Sequence, residues 1–156
     1  MDYRVVLVDI DVLKLHEYTD LETLTKLFKD IVGRGILIYP IVADRKTNIV
    51  LDGAHRVTVL KLVGCKYVPT IYVDYSDSDI VVESWRKDIK FDKNDVIRAG
   101  LTDDKLPPKS TRHMIKIGDD YQHITYIQKR VDIPIKNLLP QEASTILEDL
   151  DNIHRM

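Results

Sequence analysis

Residues 49–75, IVLDGAHRVTVLKLVGCKYVPTIYVDY, decide the fold of this chain. The β-branched ends of the stretch predict two strands, and its middle carries apolar residues at helical spacing up to Gly64, which is expected to close the helix. The sequence DGAHR joins the first strand to the helix, with Asp52 as the expected helix cap. A strand, a tight glycine turn and a helix N-terminus predict an anion site, because unpaired N–H groups and the helix dipole converge there.

Two basic side chains, His55 and Arg56, occupy the first turn of this helix. The positive end of the helix dipole disfavours a cation there by roughly 0.3–1 kcal/mol. A bound phosphate would remove that penalty, since Gly53 lets a ligand approach the backbone and Arg56 suits a bidentate phosphate contact. In the alternative, both side chains are solvated or pair with a nearby carboxylate. The local pattern leaves both interpretations open.

The segments before this stretch predict a strand and an amphipathic helix. β-branched residues over 3–10 indicate the strand. A capping box of Thr19 and Glu22 indicates the start of a helix over 20–32, and Gly33 is expected to end it in the left-handed conformation. With the elements of the central stretch, they predict an α+β fold, a mixed small sheet flanked by helices.

Four other segments complete the expected elements. Pro40 interrupts a strand, which it places near an edge or a start of the sheet. Residues 80–85 indicate a further strand that ends in the only tryptophan. Asp92 is expected to cap a short helix. An amphipathic C-terminal helix is predicted over 140–154.

The chain has 156 residues, 44% of them hydrophobic, and a formal net charge of −2. This length and composition suffice for one domain with its own core. The balanced charge argues against a dedicated nucleic-acid binder, which usually has a basic excess. No run reaches the roughly 18 apolar residues of a membrane span, so we expect a cytoplasmic protein. The single cysteine, Cys65, excludes an intramolecular disulfide and a cysteine zinc cluster, and the abundance of Ile, Lys, Asp and Glu would suit a thermophile.

Two further clusters carry candidate chemistry. The segment KSTRH (109–113), which we call the hook, follows a Pro-Pro bend and combines two hydroxyls, two cations and a histidine. It could bind phosphate together with the DGAHR turn, since phosphate sites draw on several loops, or it could be a solvated basic loop. Glu17, within HEY (16–18), follows the first strand and could be a general base or a metal-bound oxygen. An ordinary surface carboxylate is the alternative for Glu17.

The stretch over 49–75 resembles the ParB/sulfiredoxin superfamily, whose mark is a strand, D-G-x-H-R, a helix ending in glycine, and a strand beginning near VP. Sulfiredoxins require a reactive cysteine after the glycine, where this chain has Ala54. Partition proteins of the superfamily add a helix-turn-helix module, which is not evident here. The sequences KLHEY, VESW and PPKSTRH, in that order, are instead similar to the archaeal free-serine kinases. Those enzymes phosphorylate L-serine to O-phospho-L-serine on a route towards cysteine, and the resemblance spans residues 3–138.

This resemblance implies roles for individual residues. Glu17 would be the catalytic base that takes the serine hydroxyl proton. The residues that would hold the nucleotide phosphates are Asp52, Gly53, Ala54, His55, Arg56 and Arg112. Asp52 would also contact the magnesium ion that the nucleotide carries. The residues that would shape the serine site are Trp85, Thr111 and His113.

The resemblance also implies a ParB/sulfiredoxin-like organisation and a set of ligands. It implies one kinase domain over 1–156, with a core over 3–75, substrate-side elements over 76–138 and the C-terminal helix over 140–154. The ligands would be L-serine and a nucleotide, with Mg²⁺ and either ATP or ADP as donor, and the protein would be a monomer or a homodimer. Ala54 replaces a histidine of some relatives, which would remove one phosphate contact. The donor stays open, because a long insertion that some relatives have before the hook is missing and the relatives differ in using ADP or ATP.

Two other functions remain open from the sequence. The first is a non-catalytic ParB-like nucleotide-binding regulator or DNA-binding protein, which predicts nucleotide binding without serine dependence and a salt-sensitive affinity for DNA. The hook and Trp85 have no explanation in that case. The second is a kinase for a different small hydroxylated amine, since selectivity depends on the shape of the pocket.

Overall fold

The structure of the chain is a computed structural model that describes residues 3–140. The helix predicted at the C-terminus falls beyond residue 140, outside the described residues. The helices within this range are α1 (Leu21–Arg34), α2 (Ala54–Val63) and α3 (Lys93–Leu101), with 3-10 turns at Ile10–Val12, Ile124–Ile127 and Ile135–Leu138. The strands are β1 (Val5–Asp9), β2 (Ile36–Leu37), β3 (Ile41–Asp44), β4 (Val50–Asp52), β5 (Tyr67–Val73), β6 (Ile80–Ser84), β7 (Thr111–Ile117), β8 (Asp120–His123) and β9 (Ile133–Pro134). No described helix is both long and apolar enough to cross a bilayer.

The main sheet has four strands in the order β1-β5-β3-β4. The two edge strands run antiparallel to their neighbours, while β3 and β5 are parallel. A second, antiparallel sheet has the order β6-β7-β8, and β2 pairs with β9. This mixed sheet with flanking helices confirms the predicted α+β fold class.

The main sheet buries a different cluster on each face. Successive residues of β3 point to opposite sides, so that Ile41 joins one cluster and Val42 the other. The first cluster includes Leu60 of α2 and packs this helix on the sheet. The second includes Val96 of α3 and Ile115 of β7. The second sheet, which carries the hook, is thereby fixed to the sheet that carries the DGAHR turn.

The ends of α1 differ from the prediction. Asp20, not Thr19, caps the helix, because its carboxylate accepts the N–H of Thr23 at 3.2 Å and is a stronger acceptor than a hydroxyl. The helix continues through Gly33, which is exposed and tolerated there, and ends at Gly35 in the left-handed conformation (φ 70°). Both predicted boundary residues were therefore wrong by one or two positions.

The start of α2 also differs, whereas its end agrees. Gly53 is the N-cap residue, with φ 110° and no side-chain cap, because the carboxylate of Asp52 is paired with Arg56. The prediction that Asp52 caps the helix was therefore wrong. Gly64 closes α2 with φ 92°, and Asp92 caps α3, as predicted.

Candidate active site

An extended segment after β1 positions Glu17 between two other parts of the chain. On one side Val50 donates its N–H to the carbonyl of Lys14 at 2.8 Å. On the other side Leu106 donates its N–H to the carbonyl of His16, also at 2.8 Å. Glu17 itself forms an isolated parallel bridge with Leu106. The backbone of this segment is therefore held beside both the main sheet and the approach to the hook.

The hook encloses one oxygen of the Glu17 carboxylate. Oε1 accepts the N–H of Ser110 at 2.9 Å, the N–H of Thr111 at 2.7 Å and the hydroxyl of Thr111 at 2.8 Å. Lys109 adopts a left-handed conformation (φ 57°), which turns the chain so that both amides face the carboxylate. The structure thus brings Glu17 together with Thr111, although they lie 94 residues apart.

The electrostatic environment of Glu17 suits a proton acceptor. Burial raises the pKa of this carboxyl group, and the three hydrogen bonds from Ser110 and Thr111 oppose that rise. No donor from residues 3–140 contacts its second oxygen, Oε2. Oε2 is therefore the atom that can accept a proton from a ligand, while Oε1 fixes the orientation of the group.

His16 lies directly behind this carboxylate and is 3% exposed. Its Nδ1–H donates to the carbonyl of Val50 at 2.9 Å, so its Nε2 is an acceptor, 2.9 Å from the Thr111 hydroxyl. Burial lowers the pKa of His16 to about 4, which keeps the ring neutral near pH 7. Sequence reasoning assigned no role to His16, although it is adjacent to Glu17 in the quoted HEY motif.

The DGAHR turn brings the start of α2 close to the start of α1. A Cβ atom at Gly53 would lie 2.5 Å from Cγ2 of Ile41, so only glycine fits this turn. The neutral His55 ring accepts the N–H of Asp20 at its Nε2, with a distance of 3.0 Å, and burial lowers the pKa of that ring. Lys109 of the hook places Nζ 3.6 Å from the Asp20 carboxylate. Two helix starts and one cation of the hook therefore converge in one region.

Arg56 follows the alternative that the sequence left open. Its guanidinium pairs with Asp52 at 2.7 Å and also donates to the carbonyl of Pro40 at 2.7 Å. Gln128 donates a further hydrogen bond to the same oxygen of Asp52 at 3.0 Å. Both donors bind the same oxygen of Asp52, and its other oxygen, Oδ1, accepts no hydrogen bond from the described residues. No cluster of three acidic, histidine or cysteine ligands occurs among the described residues.

Trp85 and Arg112 lie together at the outer side of the hook. The backbone N–H of Trp85 donates to the carbonyl of Ser110 at 3.0 Å, and Trp85 is 56% exposed. The guanidinium of Arg112 lies 4.8 Å from the Trp85 ring centroid and pairs with Glu83. Because successive residues of a strand alternate between faces, Arg112 points away from the face that carries Thr111. Its contacts are thus with Glu83 and Trp85 and not with the DGAHR turn.

His113 lies in the interior and not on the surface of the site. It donates from Nδ1 to the carbonyl of Leu51 at 3.0 Å and accepts the hydroxyl of Tyr75 at Nε2, at 2.8 Å. Burial lowers the pKa of His113 to about 3. With both ring nitrogens engaged, His113 can shape a pocket only indirectly, through the strand that carries Thr111.

Comparison of folds defines the class of protein. A solved free serine kinase in complex with AMP superposes with a TM-score of 0.73 at 15% identity, covering 89% of this chain and 95% of that chain. A mutant free serine kinase in complex with ADP gives a TM-score of 0.71 at 14% identity, covering 86% and 94%. The chain therefore has the fold of the free serine kinases.

Comparison of sequences gives the particular relatives, although no family model matches the chain. An ADP-dependent L-serine kinase of Thermococcus kodakarensis is 30% identical over 101 residues, 62% of this chain and 41% of that protein. An ATP-dependent L-serine kinase of Staphylothermus marinus is 34% identical over 84 residues, 51% and 33% of the two chains. A ParB-like protein of Sulfolobus acidocaldarius is 28% identical over 65 residues, 42% and 33%. The chain spans less than half the length of these curated relatives, and the resemblance to L-serine kinases of the ParB/sulfiredoxin superfamily is confirmed.

Proposed function

We propose that this protein is a free L-serine kinase, which transfers a phosphoryl group from ADP or ATP to the serine hydroxyl and gives O-phospho-L-serine. The observation that carries the proposal is the Glu17 carboxylate, oriented by the amides of Ser110 and Thr111. The segment that follows Glu17 reaches the start of α2, where Asp20 donates its N–H to His55. The sequence similarity to ADP- and ATP-dependent L-serine kinases supports both the acceptor and the donor class.

The chemistry requires a base, charge neutralisation and alignment. Oε2 of Glu17 accepts the proton of the serine hydroxyl while the serine oxygen forms a bond to the terminal phosphorus of the nucleotide. The bond from that phosphorus to the bridging oxygen breaks, so ATP leaves as ADP, or ADP leaves as AMP. Phosphoryl transfer depends mainly on positioning and on neutralising the phosphate oxygens. The backbone N–H groups of Gly53, Ala54 and His55 supply donors for those oxygens, and Lys109 supplies positive charge.

The remaining predicted ligand contacts belong to this proposal. Thr111 would contact the serine beside Glu17, and His113 would support that strand from the interior. Trp85 lies with Arg112 on the outer side of the hook and would line the serine site from there. Arg56 would reach phosphate only by leaving Asp52, and Arg112 only by leaving Glu83. A magnesium ion would accompany the nucleotide and neutralise its phosphates, and Asp52 would offer it the carboxylate oxygen that is not paired with Arg56 and Gln128.

We also propose the wider attributes that go with this activity. These are a single kinase domain over 1–156, a cytoplasmic location, a role in cysteine biosynthesis and a monomeric or homodimeric state. They rest on the resemblance to the serine kinases and on the charge balance of the chain.

The direct test is phosphorus NMR of the purified protein with Mg²⁺, L-serine, and ADP or ATP in separate samples. We expect a new phosphomonoester resonance that requires serine, and the sample in which it forms identifies the donor. Nucleotide binding without turnover in either sample would contradict the proposal and favour the nucleotide-binding regulator. A salt-dependent DNA titration would then test that alternative.

The variant Glu17→Gln tests the base. The amide keeps an oxygen for the two hook amides but cannot accept a proton, so kcat should fall by about 10²–10⁴-fold while nucleotide affinity is retained. Glu22→Gln is the matched control, because Glu22 is exposed on α1 and pairs with Lys26 at the surface. Unchanged turnover of Glu17→Gln would remove Glu17 from the mechanism.

A further inference from the structure

The hydroxyl of Thr111 has two acceptors and one proton. Its oxygen lies 2.8 Å from Oε1 of Glu17 and 2.9 Å from Nε2 of His16. The carbonyl of Val50, 2.9 Å from Nδ1, fixes the single ring proton of neutral His16 on that nitrogen. Nε2 of His16 and the ionised carboxylate of Glu17 therefore compete for one hydroxyl proton. The acceptor that does not receive this proton has no hydrogen bond from the Thr111 hydroxyl.

This competition resolves when Glu17 becomes protonated. Oε2 can carry the new proton, and Oε1 of the neutral acid then needs the hydroxyl less than a carboxylate oxygen does. The Thr111 hydroxyl can rotate to Nε2 of His16 without any movement of heavy atoms, because both distances are already those of hydrogen bonds. His16 thus provides a partner for the hydroxyl in the state that follows proton transfer.

We propose that His16 is a positioning residue, whose Nε2 competes with Glu17 for the hydroxyl proton of Thr111. While Glu17 is ionised, this competition weakens the hydrogen bond from Thr111 to the carboxylate. Once Glu17 has taken the substrate proton, the Thr111 hydroxyl donates to Nε2 of His16 instead. The inference rests on the proposed function for its consequence in catalysis. No group is transferred to His16 itself, since the substrate proton stays on Glu17 and the ring stays neutral. By weakening the stabilisation of the carboxylate, His16 makes Glu17 a stronger base than the hook alone would allow.

Within residues 3–140, titratable groups lie on two sides of this cluster. The ring of His113 faces His16 edge-on, with a centroid distance of 5.6 Å, and is itself bonded to Tyr75. On the side of the hook, Lys109 and Asp20 form an ion pair near the start of α1. None of these groups accepts the Thr111 hydroxyl. Because His16 and Glu17 are also consecutive in the chain, a Thr111→Val background is needed to separate an effect through the hydroxyl from one through the backbone.

The test measures the protonation of Glu17 directly by carbon-13 NMR of the labelled carboxyl group, together with kinetics. His16→Asn retains a side-chain donor for the Val50 carbonyl but removes the acceptor that faces Thr111. We expect the titration midpoint of Glu17 to fall by about 0.5–1 pH unit, the acid limb of kcat/KM to move with it, and kcat to fall about three- to tenfold with KM for serine unchanged. An unchanged midpoint would overturn the inference, since a merely structural role for His16 would alter stability alone.

A double-mutant cycle supplies the control. In a Thr111→Val background the shared hydroxyl is gone, so His16→Asn should cause no further shift of the Glu17 midpoint. A full shift in that background would contradict a role through Thr111. If His16→Asn does not fold, nitrogen-15 NMR of the wild-type protein can test the inference by determining the tautomer of the His16 ring. The inference requires the Nδ1–H tautomer at pH 7, and observation of the Nε2–H tautomer would overturn it. Both NMR measurements are independent of turnover, so absence of serine phosphorylation would count against the proposed function alone.

Discussion

At the scale of single residues, Arg56 makes its hydrogen bonds within its own chain. The guanidinium joins Asp52 to the carbonyls of Pro40 (2.7 Å) and Tyr39 (3.3 Å). The side chains of Arg56 and Asp52 are only 17% and 21% exposed, so solvent screens the pair weakly. A planar guanidinium spans a carboxylate and a carbonyl in different directions, which an ammonium group cannot do. Arg56 therefore fastens the start of α2 to the segment that enters β3.

Arg56→Lys should consequently reduce the free energy of unfolding by about 1–3 kcal/mol, because buried acceptors lose their donors. Urea unfolding followed by circular dichroism measures this change. Arg98→Lys is the control, since Arg98 is exposed and pairs with Asp95 at the surface, and its effect should stay within about 0.5 kcal/mol. If Arg56→Lys kept its stability but lost nucleotide affinity, the result would contradict the structural role and favour a phosphate-binding role for Arg56.

Sequence reasoning reached some of these residues and not others. The combination of Glu17 with the hook came from the resemblance to the serine kinases, and the structure brings Glu17 and Thr111 into contact. The pairing of Arg56 was left open, because both a phosphate and Asp52 can satisfy a guanidinium. His16 was missed because its role depends on Thr111, and no local pattern reveals which distant hydroxyl a buried ring faces.

At the scale of elements, the turn into α2 depends on a glycine with a positive φ. Gly53 has φ 110°, which side chains rarely adopt, and a Cβ atom would also lie 2.9 Å from Cβ of Ile41. The helix periodicity and the closing Gly64 were predictable from the sequence, since they are local features. The caps of α1 and α2 were not, because each helix start offers more than one local arrangement. Asp20 accepts the N–H of Thr23 in place of Thr19, and Asp52 pairs with Arg56 in place of capping α2.

Gly53→Ala should therefore lower the free energy of unfolding by about 1–3 kcal/mol through strain and overpacking. Gly33→Ala is the matched control, because Gly33 lies inside α1 and a methyl group there would meet no atom within 4 Å. This control should stabilise the protein by about 0.5–1 kcal/mol, since alanine is the better helix former. Thermal and urea unfolding of both variants give the comparison. Equal effects of the two substitutions would contradict the assigned role of the turn.

At the scale of the whole molecule, two buried histidines join the main sheet to the second sheet. His16 donates to the carbonyl of Val50 and His113 to the carbonyl of Leu51, both on the edge strand β4. His113 belongs to β7, and His16 contacts Thr111 of the same strand. These bonds fix the hook relative to the DGAHR turn, and both require neutral rings because each ring also has an acceptor nitrogen facing a hydroxyl.

This arrangement predicts that stability declines on mild acidification. The pKa of His16 is lowered to about 4 and that of His113 to about 3, from 6.5 for an unperturbed histidine. As the pH falls below 6.5, these histidines take up protons in the unfolded chain but not in the folded protein. Their contribution to the free energy of unfolding is therefore full above pH 6.5 and decreases as the pH falls towards the pKa values of the folded state. Each ring should lower the free energy of unfolding by about 2 kcal/mol between pH 7 and pH 5. Urea unfolding at pH 7, 6 and 5 measures this decrease. His123→Gln, at the end of β8 and bonded within its own turn, should keep this slope; a flat profile in the wild-type protein would mean that the two buried rings do not remain neutral in the folded state.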